Sequence, residues 1–389
     1  MCFTRRCFTR MHSKGDYIMI KTLLNLPHVD EALSHCSETI RLHFADLSVI
    51  VHSNEAMLLA GIADYYRSYL KAEAHTTTSL NVYVMEQSAV GDELEWLEVP
   101  REAGKQGRKE GFLDVAGGRW IKKFKTGMAF LQRPDHTVAV GPCSSNLAQI
   151  VNFINNQFLN HYLRQGFTLG HASAFCVNGE VTAIAAGSGG GKSTLMLRCL
   201  ENPERDFLTN DRLLLKNTGP KKTELKKTEQ GTQTIGLAKL PRVNPGTLLH
   251  AERLRHILPE DRHQALRQMP QSELWSLEEK YDVQIEDEYG PNRVRLAGNL
   301  SRLIMLDWSL DSAEPTQLEP VDLSSQPEVI EGLRKRPGPF YQDKSGAFAD
   351  LNAIDSVEHY CRELANVKVY RLTGRIDFDR AYELIDTLK

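Results

Sequence analysis

The chain has 389 residues, enough for two domains of about 100–200 residues each. A hydrophobic share of 41% supplies material for a core, and a net charge of −3 leaves no basic field for nucleic acid and no acidic excess of the disordered kind. No stretch reaches the roughly 18 consecutive apolar residues of a spanning helix, so no membrane partner is expected. The seven cysteines (Cys2, Cys7, Cys36, Cys143, Cys176, Cys199 and Cys361) form no CxxC pair. They read as reduced thiols of a cytoplasmic protein, not as a disulfide framework or zinc site.

At the start, Cys2-Phe3-Thr4-Arg5 is nearly repeated as Cys7-Phe8-Thr9-Arg10, with no apolar run of signal-peptide length behind it. Residues 1–18 read as a disordered extension or a start-site artefact, Met11 and Met19 offering alternative starts. From Ile40 the alternation of Ile40, Leu42, Phe44 and then Leu47, Val49, Val51 predicts two short strands or one bulged strand. Asn54 is placed to cap a helix carrying Leu58, Leu59, Ile62, Tyr66 and Leu70. Strands follow at Leu80–Val84, Trp120–Lys125 and Thr137–Val140, and residues 99–110 read as an exposed basic loop. Residues 19–140 thus form a small α/β domain without a catalytic constellation.

Residues 141–389 open with a helix. Ser144 or Ser145 can cap it, and Leu147, Ile150, Val151, Ile154, Phe158 and Tyr162 share one face. The most informative stretch is Val181-Thr-Ala-Ile-Ala-Ala186-Gly187-Ser188-Gly189-Gly190-Gly191-Lys192-Ser193-Thr194. An apolar strand runs into a glycine-rich turn and then a helix, the context of a phosphate-binding loop. Glycines let successive N–H groups turn inward around a phosphate, and the helix N-terminus adds partial positive charge. Gly187, Ser188, Gly189, Gly190, Gly191 and Thr194 form the cradle, Lys192 reaches the β- and γ-phosphates, and the Ser193 hydroxyl can ligate Mg²⁺. Ala186 stands where the pattern's first glycine belongs; it is tolerable there if its φ is negative.

Upstream, Asn178-Gly179 between apolar runs predicts a two-residue hairpin, since a type I′ turn wants φ > 0 at both residues. Its register pairs His171 with Ala186 and points to an imidazole beside the phosphates, bonding phosphate or orienting a carboxylate. Further on, the apolar run Phe207-Leu-Thr ends in Asn210-Asp211-Arg212. An acid at a strand end beside a phosphate loop can hold Mg²⁺ or its water and align an attacking hydroxyl.

His171, the hairpin, the stretch 188–193 and Asn210-Asp211-Arg212 resemble, in order, the bacterial HPr kinase/phosphorylase family. Lys239-Leu-Pro-Arg-Val-Asn-Pro-Gly-Thr-Leu-Leu249 and Glu278-Glu-Lys-Tyr-Asp282 look like its divergent group, HprK-related kinase B. The resemblance implies a PEP-carboxykinase-like P-loop domain behind a smaller N-terminal α/β domain. It also implies ATP and Mg²⁺ as cofactors, Lys192 on phosphates, Ser193 on metal, His171 in the active site and Asp211 as the second Asp of the family's Asp-Asp pair. The first Asp of the family's Asp-Asp pair, its proton acceptor, is Asn210 here, and an amide takes no proton at neutral pH. Its metal-binding Glu is replaced by Gln233, and its catalytic arginine has no counterpart. These departures weigh against reverse phosphorylase activity.

Lys216, Lys221, Lys222, Lys226 and Lys227 read as an exposed loop, and Lys239 and Arg242 as candidates to clamp the γ-phosphate. Ser272 opens a short helix with Leu274 and Trp275. Glu279, Lys280 and Asp282 read equally as surface pairs or cleft residues. Arg302–Trp308 is a buried strand, Val367–Leu372 another, and Asp377 caps the last helix. The expectation is a cytoplasmic Mg-ATP-dependent kinase acting on a hydroxyl, a protein serine or a small molecule, with a homo-oligomer allowed. The alternative is a nucleotide-sensing module that binds without phosphotransfer.

Overall fold

The computed structural model describes residues 33–71, 77–92, 94–100, 107–134, 137–187, 189–219, 231–270, 273–274, 277 and 279–388. Residues 1–18, part of the predicted 99–110 loop, Ser188, Lys221, Lys222, Lys226, Lys227, Ser272, Trp275 and Glu278 lie outside the described residues. The fold is mixed α/β, with an eight-stranded and a nine-stranded sheet among the described residues. By contacts the chain divides into two compact units. One takes residues up to Arg41, Val49–Asp64 and Asn81–Phe153; the other takes Leu42–Ser48, Tyr65–Leu80 and the chain from Ile154 on.

The first sheet contains β1 (Glu38–Phe44), β2 (Leu47–Ser53), β3 (Thr78–Glu86), β4 (Leu97–Glu98), β5 (Glu110–Val115), β6 (Gly118–Lys123), β7 (Ala129–Gln132) and β8 (Thr137–Gly141), in the order β1-β2-β3-β8-β7-β6-β5-β4. Ala45, at φ 53°, makes the break expected between β1 and β2. Trp120, Leu131, Val138, Val140 and Met85 pack one face. Helix α1 (Ala56–Tyr65) follows β2, but Asn54 does not cap it. The Asn54 amide bonds both the N–H and the carbonyl of Glu86, at 2.8 and 3.1 Å, while Glu55 Oε1 accepts the Met57 N–H. A strand end thus competes successfully for the capping side chain. Similarly, Ser144 gives its N–H and hydroxyl to Glu86 and caps nothing. Helix α2 (Leu147–Arg164) forms where its apolar period predicts, with Ile150, Val151, Ile154, Phe158 and Tyr162 buried.

The second unit is built on β9 (Thr168–Gly170), β10 (Ala172–Val177), β11 (Glu180–Ala185), β12 (Asp206–Thr209), β13 (Leu213–Asn217), β14 (Thr232–Gly236), β17 (Ala297–Ser309), β18 (Gln317–Val321) and β19 (Lys368–Arg375). A small pair, β15 (Arg242–Val243) with β16 (Tyr281–Asp282), stands apart. The Asn178-Gly179 turn has φ of 50° and 88°, so both residues are left-handed, and β10 pairs β11 in the predicted register, Val177 with Glu180 and Ala172 with Ala185. β11 lies parallel to β17, and β17 parallel to β19. β12 is antiparallel to β10 and therefore runs the same way as β11. Four strands thus end on one rim, where ligands of parallel sheets collect.

Alternate residues divide this sheet between two cores. Ile184, Phe207 and Ile304 face helices α3 (Lys192–Cys199), α4 (Pro245–His250), α6 (Ile285–Tyr289) and α8 (Phe378–Asp386). Helix α5 (Glu260–Arg267) adds Leu266 to this core. Ala183, Ala185, Leu303 and Met305 face the 3₁₀ segment Pro327–Leu333 and helix α7 (Val357–Glu363). Asp377 caps α8 as expected, accepting the Arg380 N–H at 2.9 Å. No described helix is long and apolar enough to cross a membrane.

Candidate phosphate-binding site

β11 is apolar on both faces because it is covered on both, and it delivers the chain into the glycine turn at the rim. Gly189 and Gly191 sit at φ 77° and 87°, conformations costly for any residue with a Cβ. Ala186 keeps a negative φ, and the structure makes room for its methyl. A Cβ on Gly190 would lie 2.7 Å from Ala186 Cβ, and one on Gly332 would lie 3.0 Å from the Ala186 carbonyl carbon. The alanine methyl at the loop's first position is thus accommodated by Gly190, while Gly332 lets the chain approach the Ala186 backbone. The Trp308 indole N–H donates to the Gly190 carbonyl at 3.0 Å, pinning the turn to the end of β17.

Lys192 opens α3 and is 7% exposed. Its ammonium donates to the carbonyls of Ala186 (3.0 Å) and Gly187 (2.9 Å), and its own carbonyl accepts from the Ser173 hydroxyl. Burial pushes Lys192 down to about 8; Asp211 opposes this, while Arg212, Lys335 and Lys280 add to it. The ammonium is therefore a poised charge, held by dipoles that a phosphate oxygen can replace.

A second cluster sits at the end of β12. The turn there is closed by Thr209, whose hydroxyl donates to the Arg212 carbonyl at 2.9 Å. Arg212 Nη1 donates to Asp211 Oδ1 at 2.5 Å, His171 Nδ1 lies 3.2 Å from the same oxygen, and Lys239 Nζ is 3.9 Å from Oδ2. Burial alone would raise the Asp211 carboxyl. The bond from His171 and the charges of Arg212 and Lys239 outweigh it and hold the group well below the usual carboxylate range. Burial pulls Lys239 down, with Asp211 opposing.

His171 Nδ1 is also 3.0 Å from both the Asp211 carbonyl oxygen and Arg212 Nη1. A guanidinium only donates and a carboxylate only accepts. With a proton on Nδ1 the ring is tied to Asp211; with a lone pair there it is tied to Arg212. The hairpin register places the His171 backbone at the loop, but the imidazole goes to the carboxylate, and the His171 N–H goes to the Leu333 carbonyl at 2.7 Å. Beside this cluster, Asn210 is 9% exposed, and its Oδ1 is buried without a hydrogen-bond partner among the described residues. A buried amide oxygen so placed is an acceptor for a donor or a cation.

A cleft of about 960 Å³ opens from the loop. Gly189, Gly190, Gly191, Lys192, Ser193 and Thr194 form its floor, Arg242 and Lys280 one wall, and Leu310, Ile376 and Phe378 another. Of the residues left open by sequence, Lys280 reaches the cleft, Asp282 pairs with Arg242 at 3.1 Å, and Glu279 turns away to Arg262. Gln233 is an exposed residue of β14, opposite Lys216 and Asn299.

Sequence reading gave no role to Arg212, Lys335 or Tyr65. Arg212 stood in plain view, adjacent to Asp211. The charge of Lys335 acts on Lys192 because the chain at the end of the 3₁₀ segment lies along Gly170 and His171, a pairing no local pattern announces. The Tyr65 hydroxyl accepts the Leu240 N–H at 3.1 Å, bracing the segment between Lys239 and Arg242. One further acid invites attention, because Leu303-Ile-Met-Leu-Asp307 is an apolar run ending in a carboxylate beside β11. Alternation puts Asp307 on the face of Leu303 and Met305, opposite α3, and it is exposed.

No family model matches the chain, and no curated protein does. Among solved structures it is similar to the Hpr(Ser) kinase/phosphatase from Coxiella burnetii, at 9% identity. That alignment covers 56% of this chain and 88% of the other, with a TM-score of 0.27.

Proposed function

We propose that the chain is a Mg-ATP-dependent kinase whose second unit is a PEP-carboxykinase-like P-loop domain, transferring the γ-phosphate to a hydroxyl, a protein serine foremost. The observation that carries this is the shared rim at which β11 and β12, running the same way, both end. At that rim the glycine turn leading to Lys192 and the Asp211 carboxylate, held ionised by His171, Arg212 and Lys239, lie at the same end of one sheet.

Loop amides and Lys192 would hold the triphosphate tail, with Arg242 and Lys280 at the open side of the cleft. Ser193 and Asp211 would hold Mg²⁺, which when bound supplies charge neutralisation at the phosphate oxygens. The donor set suits that ion: a hydroxyl, one carboxylate and the orphaned Asn210 amide oxygen are hard ligands. No group of three or more ligating His, Cys, Asp or Glu occurs among the described residues, and a Mg²⁺ held through water and phosphate oxygens needs none.

In the transfer, the acceptor oxygen bonds to the γ-phosphorus as the bond to the β–γ bridging oxygen breaks, and the hydroxyl proton is released. Asp211 is too acidic to take that proton early, and Asn210 takes none. Both therefore orient, and the loose transition state of phosphoryl transfer needs positioning more than a strong base. Purified protein with γ-labelled ATP and extract of its own host tests the reading. Label on an acceptor, lost with Lys192→Ala, supports the kinase. Tight ATP binding with no labelled acceptor under any condition replaces it with the nucleotide-sensing reading, which the locked Asp211 carboxylate favours.

A further inference from the structure

We propose that the nucleobase of the bound nucleotide rests on the apolar ledge formed by Trp308, Leu310, Ile376 and Phe378, at the ends of β17 and β19. This rests on the reading that the loop binds a nucleoside triphosphate, and it adds where the nucleoside goes and what holds it.

Direction comes from the rim. Its strand ends run from Asn210 and Asp211 after β12, through the loop after β11, to Trp308 at the end of β17 and Ile376 after β19. Lys192 and Asp211 mark the γ-phosphate end of the tail, so the nucleoside leaves toward β17 and β19. There the surface turns apolar next to the loop. A Cβ on Gly191 would stand 3.1 Å from the Phe378 ring and 3.3 Å from Trp308, so both aromatics touch the turn itself. The two rings meet edge to face, with centroids 5.1 Å apart. Leu310 is 38% exposed, one of the few large apolar side chains at the surface of the described residues.

The ledge is rigid and keyed to the loop helix. The Ile376 N–H donates to the Ser309 carbonyl, joining the two strand ends. Arg198 of α3 bonds Asp379 of α8 at 2.7 Å and stacks on Tyr382, and Arg205 bonds Asp386 at 2.8 Å. The rest of the cleft lining is polar, with Arg242, Asn244, His250 and Lys280, and part of it is bonded internally. Thr194 and Thr247 hydroxyls bond each other at 2.7 Å, and Arg253 bonds Glu201 and the Glu288 carbonyl. A flat heteroaromatic ring is the ligand that an apolar shelf with an aromatic edge, continuous with a phosphate cradle, accommodates.

Titration calorimetry with magnesium present compares ATP with inorganic tripolyphosphate on the full chain, Leu310→Ser and Phe378→Ala. Leu310 is 38% exposed and belongs to no buried core, so Leu310→Ser is expected to leave folding intact. Each variant is expected to lose about five- to twentyfold in ATP affinity, the scale of one base contact, with tripolyphosphate binding unchanged. Equal loss of both ligands would make the ledge a prop for the loop and overturn the seat. Unchanged ATP affinity in both variants, or a selective loss in His250→Ala instead, would place the base elsewhere. If the unaltered protein binds neither ligand, the phosphate-loop reading itself has failed, a result distinct from either of these.

Discussion

The fit between Ala186 and Gly190 offers a sharp test of the loop geometry. Gly190→Ala puts a Cβ 2.7 Å from Ala186 Cβ, closer than two methyl groups approach. Gly190 has an ordinary negative φ, so the clash and not backbone strain is the perturbation. The next neighbour of the new methyl, the Gly187 carbonyl oxygen, is 3.3 Å away and tight but bearable. Overpacking of this kind costs about 1–3 kcal/mol. Borne by the loop's binding conformation, that is roughly five- to 150-fold in triphosphate affinity. Removing the opposing methyl should restore most of it, so Ala186→Gly/Gly190→Ala is expected to bind better than Gly190→Ala alone. The coupling across the double-mutant cycle would be about 1–2 kcal/mol. Calorimetry of all four proteins measures it, with thermal unfolding run alongside. Strict additivity, or full affinity in Gly190→Ala, would refute the packing account.

The buried lysine predicts a pH dependence. Lys192 carries its proton below about 8 and loses it above, and only the ammonium attracts phosphate. ATP affinity should therefore fall as pH rises from 7 to 9, by at most about tenfold per unit, and binding at pH 9 should take up close to one proton. Calorimetry in buffers of different ionisation enthalpy reads that uptake, and a flat profile contradicts it. Asp211→Asn removes the charge that raises Lys192, so the midpoint of the same curve should move to lower pH, and phosphotransfer should fall about a hundredfold. An unmoved midpoint would show that the two groups do not interact. Gly179→Ala, at φ 88° with no atom near the new methyl, tests the hairpin alone. It should lower unfolding stability by about 1–2 kcal/mol through backbone strain without altering ATP affinity per folded molecule.

What local chemistry dictates was readable in the sequence. Asn178-Gly179 specifies a turn with both residues left-handed, and the pairing of β10 with β11 follows by counting. The glycine run falls between β11 and α3 as expected, and the apolar period of α2 survives in its buried face. What long-range packing decides was not readable. The Asn54 side chain had two suitors, the start of α1 and the end of β3, and only the sheet's register brings Glu86 within reach. The His171 imidazole turns from loop to carboxylate because β12 ends beside it. Gly332 is unremarkable until Ala186 is seen lying against it. Tyr65 and Lys335 come to the second unit's site from two distant segments.

Titration of the purified protein with Mg-ATP in a calorimeter reaches the centre of the account, with Lys192→Ala as its pair. We expect saturable uptake near one nucleotide per chain and at least a tenfold weakening in the variant. Absence of heat with every nucleoside triphosphate, or equal affinity in the two proteins, would mean that the turn before α3 does not hold phosphate.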